Sequence, residues 1–115
     1  MTVASCPWTS IVIPIKDEQE NLIPLTERLM KVLEARDESR SASFEILFID
    51  DGSTDGSSAL LDSLAVQHPL VRVLHFDRNY GQSSAFDAGF KHSTGELVIT
   101  MDGDLQNDPD DIETL

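Results

Sequence analysis

The apolar positions of this chain fall into short unbroken runs that alternate with stretches of helical spacing. Ile11-Val12-Ile13 is a β-branched run closed by Pro14, which predicts a strand over about Thr9–Ile13. Leu22, Leu25, Leu29 and Leu33 then recur at i+3 and i+4 intervals, so Asn21–Ala35 predicts an amphipathic helix with Glu27, Arg28, Lys31 and Glu34 outward. Asp37–Ser43 is polar and serine-rich, a surface loop. Phe44–Ile49 is nearly all apolar and predicts a second strand. Asp55 is a good cap for a helix through Leu60, Leu61 and Leu64 that ends at His68-Pro69. Val71–Phe76 alternates apolar residues with Arg72 and His75, a third strand. Ser84–His92 predicts a third helix, with Ala85, Ala88 and Gly89 on one face and Phe86 and Phe90 beside it. Leu97–Met101 is a fourth strand, and its Leu97-Val98-Ile99 run reads as buried. Asp108-Pro109 then caps a helix on which Ile112 and Leu115 share a face.

Strand and helix alternating in this way imply an α/β fold, a parallel sheet covered by helices. In such sheets ligands bind beyond the carboxyl ends of the strands. Polar clusters stand at those ends: Lys16, Asp17 and Glu18 after the first strand, then Asp50, Asp51 and Ser53. Asp77, Arg78 and Asn79 follow the third strand, and Asp102 and Asp104 the fourth. A helix that opens at Asp108 and is two turns long at Leu115 reads as a domain cut in half. Uncovered faces would then favour a homo-oligomer or a marginally stable monomer.

Composition narrows the partners. At 115 residues, with 40% hydrophobic and 25% charged content, the chain is one globular domain at most. A net charge of −13, from 21 acids against 8 Lys plus Arg, repels nucleic acid and anionic lipid. An anionic ligand would need local donors or a metal. The single cysteine, Cys6, forms no intramolecular disulfide and sits with a reducing compartment. No apolar run approaches the ~18 residues of a membrane helix. The first ten residues lack the basic start and apolar core of a leader.

The densest chemistry is VITMDGDLQNDPD, Val98–Asp110. Asp102 and Asp104 flank Gly103, and Gln106 follows. Two carboxylates ~4 Å apart repel by roughly 4 kcal/mol at an effective dielectric of ~20. A hard divalent cation between them removes that cost and takes substrate phosphates and water as its other ligands. Gly103 lets the backbone come close to a ligand. The plain alternative is a solvated acidic turn.

Four motifs together carry a resemblance. IPIKDEQEN, FIDDGSTDGS, RNYGQSSAFDAGF and MDGDLQNDP stand here in the order and spacing of family 2 glycosyltransferases of the GT-A fold. The DGDLQNDP form is most similar to the polyprenyl-phosphate branch, the dolichol-phosphate mannose synthases and undecaprenyl-phosphate sugar transferases. The resemblance implies a Rossmann-like nucleotide-binding half, with residues 1–115 as the N-terminal nucleotide-sugar-binding part of a truncated domain. It implies metal-dependent, inverting transfer of a sugar from a nucleotide diphosphate sugar to a polyprenyl phosphate, with Mg2+ or Mn2+. It places the chain in the cytoplasm, at the cytoplasmic face of a membrane in a full-length protein.

Residue by residue, the resemblance implies that Pro14 and Glu18 line the nucleoside pocket. Asp51 binds base or ribose, Asp50 orients it or does that job itself, and Ile49 joins them in the nucleotide-sugar-binding set. Arg78, Asn79 and Gly81 belong to a loop beside the nucleotide. Asp102 and Gly103 lie at the ribose and metal edge, with Asp102, Asp104 and Gln106 as metal ligands. The family's usual tyrosine-asparagine before Glu18 is replaced by Lys16-Asp17, so stacking on the base is in doubt and Lys16 is free to reach a phosphate instead. No catalytic base or acceptor site can be matched.

Rival readings are a donor-binding but inactive fragment, a calcium module, a phosphohydrolase and a dinucleotide-binding enzyme. Asp51, Ser53, Asp55, Gly56 and Asp62 loosely follow a calcium loop, as do Asp102, Asp104, Gln106 and Glu113. Such loops need flanking helices, however, and β-rich runs precede both. An aspartate-nucleophile phosphohydrolase carries its DxD after the first strand, not the fourth. A dinucleotide fold needs G-x-G-x-x-G after the first strand, and none is present. His68, His75 and His92 are scattered and read as structural or exposed.

Overall fold

Period-two alternation along two central strands sets the layers of this fold. A computed structural model describes residues 9–37, 44–95 and 97–101, without the side chains of residues 34–37. The elements run β1 (Thr9–Ile15), α1 (Gln19–Asp37), β2 (Phe44–Asp50), α2 (Ser57–Gln67), β3 (Val71–His75), α3 (Gln82–His92) and β4 (Leu97–Thr100). The strands form one parallel sheet in the order β3-β2-β1-β4. Ile11, Ile13, Ile15, Ile46 and Phe48 point to one face and pack with Leu22, Leu25 and Leu29 of α1 and Leu61 and Leu64 of α2. Val12, Leu47 and Ile49 point to the other, where Ala85 of α3 meets them. Each such side chain, fully buried, contributes about 1.5–3 kcal/mol. Gly89 is buried because a Cβ there would lie 2.3 Å from Val12 Cγ1, so α3 rests directly on the sheet.

All seven predicted elements within the described residues are present, with corrected bounds. Pro14 does not close β1, which runs on to Ile15 and pairs Pro14 with Ile49. Met101 N–H donates to Val12 O and Asp51 N–H to Ile15 O. Alternate residues therefore bond to opposite neighbours, and Pro14 turns its missing N–H toward β4. The β1–β4 register accordingly covers only Thr9–Val12 against Leu97–Thr100. β4 is not a buried strand. It is the edge of the described sheet, and Leu97 and Val98 are exposed. An apolar run reads alike on a covered and an uncovered strand. Asp55 is not itself the cap residue of α2, which is Gly56, but its Oδ1 accepts Ser57 N–H at 2.8 Å. Cys6, Asp108 and the helix expected from Pro109 lie outside the described residues, as does most of the serine-rich loop.

Candidate functional site

The carboxyl ends of β1 and β2 open into two loops that hydrogen bonds lace together. Asp17 stands at φ 54°, a left-handed conformation that a short polar side chain tolerates better than most. Its N–H donates to Ser53 Oγ at 3.0 Å, and its Oδ1 accepts the N–H groups of Thr54 at 2.7 Å and Asp55 at 3.2 Å. Glu18 N–H donates to Ser57 Oγ, Gly56 N–H to Gln19 Oε1, and Gln19 N–H to Asp55 Oδ2. The Ser, Thr and Asp of GSTDGS are thereby consumed in holding the two loops together. The bond from Lys16, then the Thr54 and Asp55 amides, hold the Asp17 carboxyl down at a pKa of about 2.

Asp50 and Asp51 are both buried and diverge, as consecutive residues at a strand end must. Asp50 turns to the α2 face. It accepts Ser53 N–H at 3.0 Å, the Ser58 hydroxyl, and the His75 imidazole at 2.7 Å. Burial works to raise its pKa, but the bonds from Ser58, His75 and Ser53 outweigh it and the carboxyl lies below its ordinary range. Asp51 turns the other way, under the loop that leads into α3. Its Oδ1 accepts Tyr80 N–H at 2.7 Å, and its Oδ2 accepts Gly81 N–H at 3.0 Å and Asn79 Nδ2 at 3.2 Å. A carboxylate offers about four lone-pair sites, so three protein donors leave roughly one for a ligand.

Directly after these acids Gly52 adopts φ 70°, and a Cβ there would lie 2.3 Å from the Arg78 carbonyl carbon. Only glycine lets the β2–α2 turn touch the β3–α3 loop so closely. In that loop Arg78 lies over the Tyr80 ring, 5.3 Å from its centroid, and its Nε donates to the Tyr80 hydroxyl, which donates to Asp77 Oδ1.

The structure thus brings together most of the described candidates. Lys16 Nζ sits 2.8 Å from Asp17 Oδ2 and 3.2 Å from Gly52 O, so it braces the turn. Glu18 is half-buried, with Oε1 accepting Asn21 Nδ2 at 2.8 Å. Asn79 and Gly81 meet Asp51, and Arg78 is exposed at the loop's surface. Ile49, in the expected donor-binding set, has its side chain fully buried in the α3-side core. His75, expected to be structural or exposed, is both: it bridges Asp50 and Asp62 and keeps part of its side chain in solvent. Asp17 and Ser53 stood in the predicted strand-end clusters, whereas Tyr80, Ser57 and Ser58 were missed as contributors.

Asp102, Gly103, Asp104 and Gln106 lie outside the described residues. β4 nonetheless carries the chain to the same edge of the sheet, since Met101 N–H reaches Val12 O. Two carboxylates and an amide oxygen after that point are a donor set of the type that hard divalent cations take. Among the described residues no group of three or more His, Cys, Asp or Glu side chains could hold a metal. The first calcium loop fails on geometry: β2 precedes it, Asp55 bonds loop amides and Asp62 faces His75. A recess lined by Asp17, Glu18, Gln19, Glu20, Asn21 and Asp55 opens beside the laced loops. Its lining is acidic, with Asp17, Glu18, Glu20 and Asp55.

Known proteins share this arrangement. The family model for glycosyl transferase family 2 matches residues 10–115. Over 109 residues the chain is 50% identical to the undecaprenyl-phosphate 4-deoxy-4-formamido-L-arabinose transferase of Sodalis glossinidius (strain morsitans), covering 92% of this chain and 32% of that protein. The mannosyltransferase PcManGT from Pyrobaculum calidifontis, solved with GDP-Man and Mn2+, superposes at a TM-score of 0.73 and 24% identity over 86% of this chain and 28% of that one. S. aureus TarS 1-349 in complex with UDP-GlcNAc gives 0.67 and 22% over 84% and 26%. These two structures speak for the fold, which is the N-terminal part of a GT-A glycosyltransferase.

Proposed function

Since the chain belongs to glycosyl transferase family 2, we propose that its strand-end loops bind a nucleotide diphosphate sugar and serve transfer of the sugar to a polyprenyl phosphate. The observation that carries this reading is the pair of buried acids at the end of β2. Asp50 and Asp51 set two loops against each other through Gly52 and leave the carboxyl edge between β2 and β4 facing outward. The 50% identical relative is named for transfer to undecaprenyl phosphate, which supports the acceptor class.

In this reading Asp51 shapes the nucleoside pocket through the Tyr80 and Gly81 amides and the Asn79 side chain, and offers its remaining lone pair to base or ribose. Pro14 and Glu18 form the opposite wall, and Arg78 stands at the pocket's mouth. Lys16 exchanges its bond to Gly52 O for a phosphate oxygen. Asp102, Asp104 and Gln106 hold Mg2+ or Mn2+, with Gly103 allowing close approach. When bound, the metal supplies Lewis-acid stabilisation to the departing nucleoside diphosphate. Attack by an ionised lipid phosphate from the opposite side of the sugar inverts the anomeric centre, and such an acceptor needs no deprotonation.

A second reading is donor binding without transfer; the chain spans 32% of the length of the Sodalis transferase. Calorimetric titration with UDP and with GDP, each with Mg2+, tests donor binding. A transfer assay with undecaprenyl phosphate then separates the two readings. Binding of one nucleotide in preference to the other is expected. Absence of binding by both would refute either reading.

A further inference from the structure

We propose that His75 is a positioning residue of the donor site: as an imidazolium it clamps Asp50, which holds the Gly52–Ser53 turn in the form that receives nucleotide. The role rests on the donor-site reading above. It begins in the sheet register, which pairs His75 with Asp50 across β2 and β3. Val71, Val73 and His75 share the face that α2 covers, and Asp62 of α2 completes the bridge. Nδ1 lies 2.7 Å from Asp50 Oδ2 and Nε2 lies 2.7 Å from Asp62 Oδ1. Ionised carboxylates only accept, so both ring nitrogens must carry protons. Such charge-assisted bonds are about twice as strong as neutral ones.

The clamp reaches the site by a short path. The same Asp50 carboxylate accepts Ser53 N–H, and Ser53 Oγ accepts Asp17 N–H from the β1 loop. Gly52, one residue earlier, carries the contact with Arg78 and Asn79. A neutral imidazole keeps one N–H, so one of the two carboxylates would face a lone pair. The elements packed on β3 are β2 and α2, and the charged groups they turn to the imidazole are Asp50 and Asp62. Burial opposes the charge, but the bonds to Asp62 and then Asp50 outweigh it, so the imidazole titrates above its ordinary 6.5. With 36% of its side chain exposed, it exchanges protons with solvent freely.

The test uses the whole 115-residue chain. The His75 titration is followed by NMR, and UDP affinity with Mg2+ is measured by calorimetry on both sides of it. Wild-type affinity is expected to fall roughly tenfold as the imidazole loses its proton, the size expected for one charge-assisted bond. His75→Leu should be weak and flat with pH, with faster exchange of Ser53 N–H. His75→Asn keeps an amide donor toward Asp50 but does not titrate, so it should restore affinity and stay flat. If His75→Leu does not fold, the His75→Asn profile decides, and a profile that still falls overturns the proposal. A fall of equal size in wild type and His75→Leu, with Ser53 exchange unchanged, overturns the clamp and leaves the donor reading standing. Failure of wild type to bind UDP or GDP at any pH overturns both.

Discussion

β2 carries a buried carboxylate near each end, and the two ends of the sheet use them differently. At the amino end Glu45 accepts Ser10 Oγ at 2.5 Å, Arg72 Nη1 at 2.7 Å and Thr94 N–H at 2.8 Å. Gly95 N–H donates to Ser10 Oγ, and Arg72 also donates to His92 O. That network closes on itself and ties β1, β2, β3 and the α3–β4 connection into one block. At the carboxyl end Asp51 bonds to groups of the loop before α3, whereas Asp50 joins one loop amide, Ser53 N–H, to Ser58 of α2 and His75 of β3. The same residue chemistry makes a staple where its partners sit on regular elements. Where its partners are loop amides it makes an adjustable frame. Binding sites are built from the second kind, because a loop's backbone can be set against a ligand.

The largest effect is expected where the frame has no slack. Gly52→Ala forces a left-handed φ on a residue with a Cβ, at ~1–2 kcal/mol, and drives that Cβ into the Arg78 backbone. With overpacking of ~1–3 kcal/mol added, about 3 kcal/mol of stability should be lost in urea melts, and UDP binding with it. Retention of full affinity would mean that the two loops are not set by this contact.

Breaking the staple should do the reverse. Glu45→Ala removes the acceptor of the Ser10 hydroxyl and of Thr94 N–H, while Arg72, with 42% of its side chain exposed, can rehydrate. The expected loss is about 2–3 kcal/mol, below the ~3–5 of a fully buried pair, with nucleotide affinity unchanged. The pH profile sharpens the contrast. Burial raises the Glu45 pKa, but the bonds from Ser10, Thr94 and Arg72 outweigh it and leave it below 4.5. Asp50 is likewise held below 3.8. Depressed acids stabilise above their unfolded pKa, so that stability is lost as pH falls below about 4.5. His75 has the opposite sign. Its contribution is complete below 6.5 and is lost as pH rises through the raised folded value. Thermal melts across pH should show both limbs. Glu45→Gln should shrink the acid limb, leaving the part that Asp50 contributes, and leave the alkaline one.

Asp51→Ala is smaller in stability and larger in recognition. UDP binding should weaken by about 1–3 kcal/mol through loss of the Tyr80 and Gly81 anchors and of the remaining acceptor. Metal affinity measured alone should change little. Equal loss of metal and nucleotide would move Asp51 into the metal site.

Much of this was legible in the sequence. The order and type of the elements followed from Ile11-Val12-Ile13, the spacing of Leu22 to Leu33 and the alternation of Val71–Phe76. Their parallel arrangement placed Lys16–Glu18, Asp50-Asp51 and Arg78-Asn79 at one edge. What stayed hidden depends on register. Ser10, Arg72 and Thr94 stand 35, 27 and 49 residues from Glu45, and no local pattern ties them. His75 meets Asp50 only once β3 is paired with β2. Pro14 misled because proline is compatible with a strand where its missing N–H faces the end of a neighbour's ladder.

The most direct test lies at the end of β4. Asp104→Asn keeps the shape of the side chain and removes one charge. UDP titrations with Mn2+ or with a chelator, on wild type and variant and checked by circular dichroism, measure how strongly metal and nucleotide promote each other's binding. By linkage that factor must be the same in both directions. Weak metal binding alone, strong mutual tightening in wild type and loss of most of it in Asp104→Asn with the fold intact is the predicted result. Wild type that binds UDP equally well with chelator, or that prefers Ca2+ without nucleotide, would contradict a metal-assisted donor site.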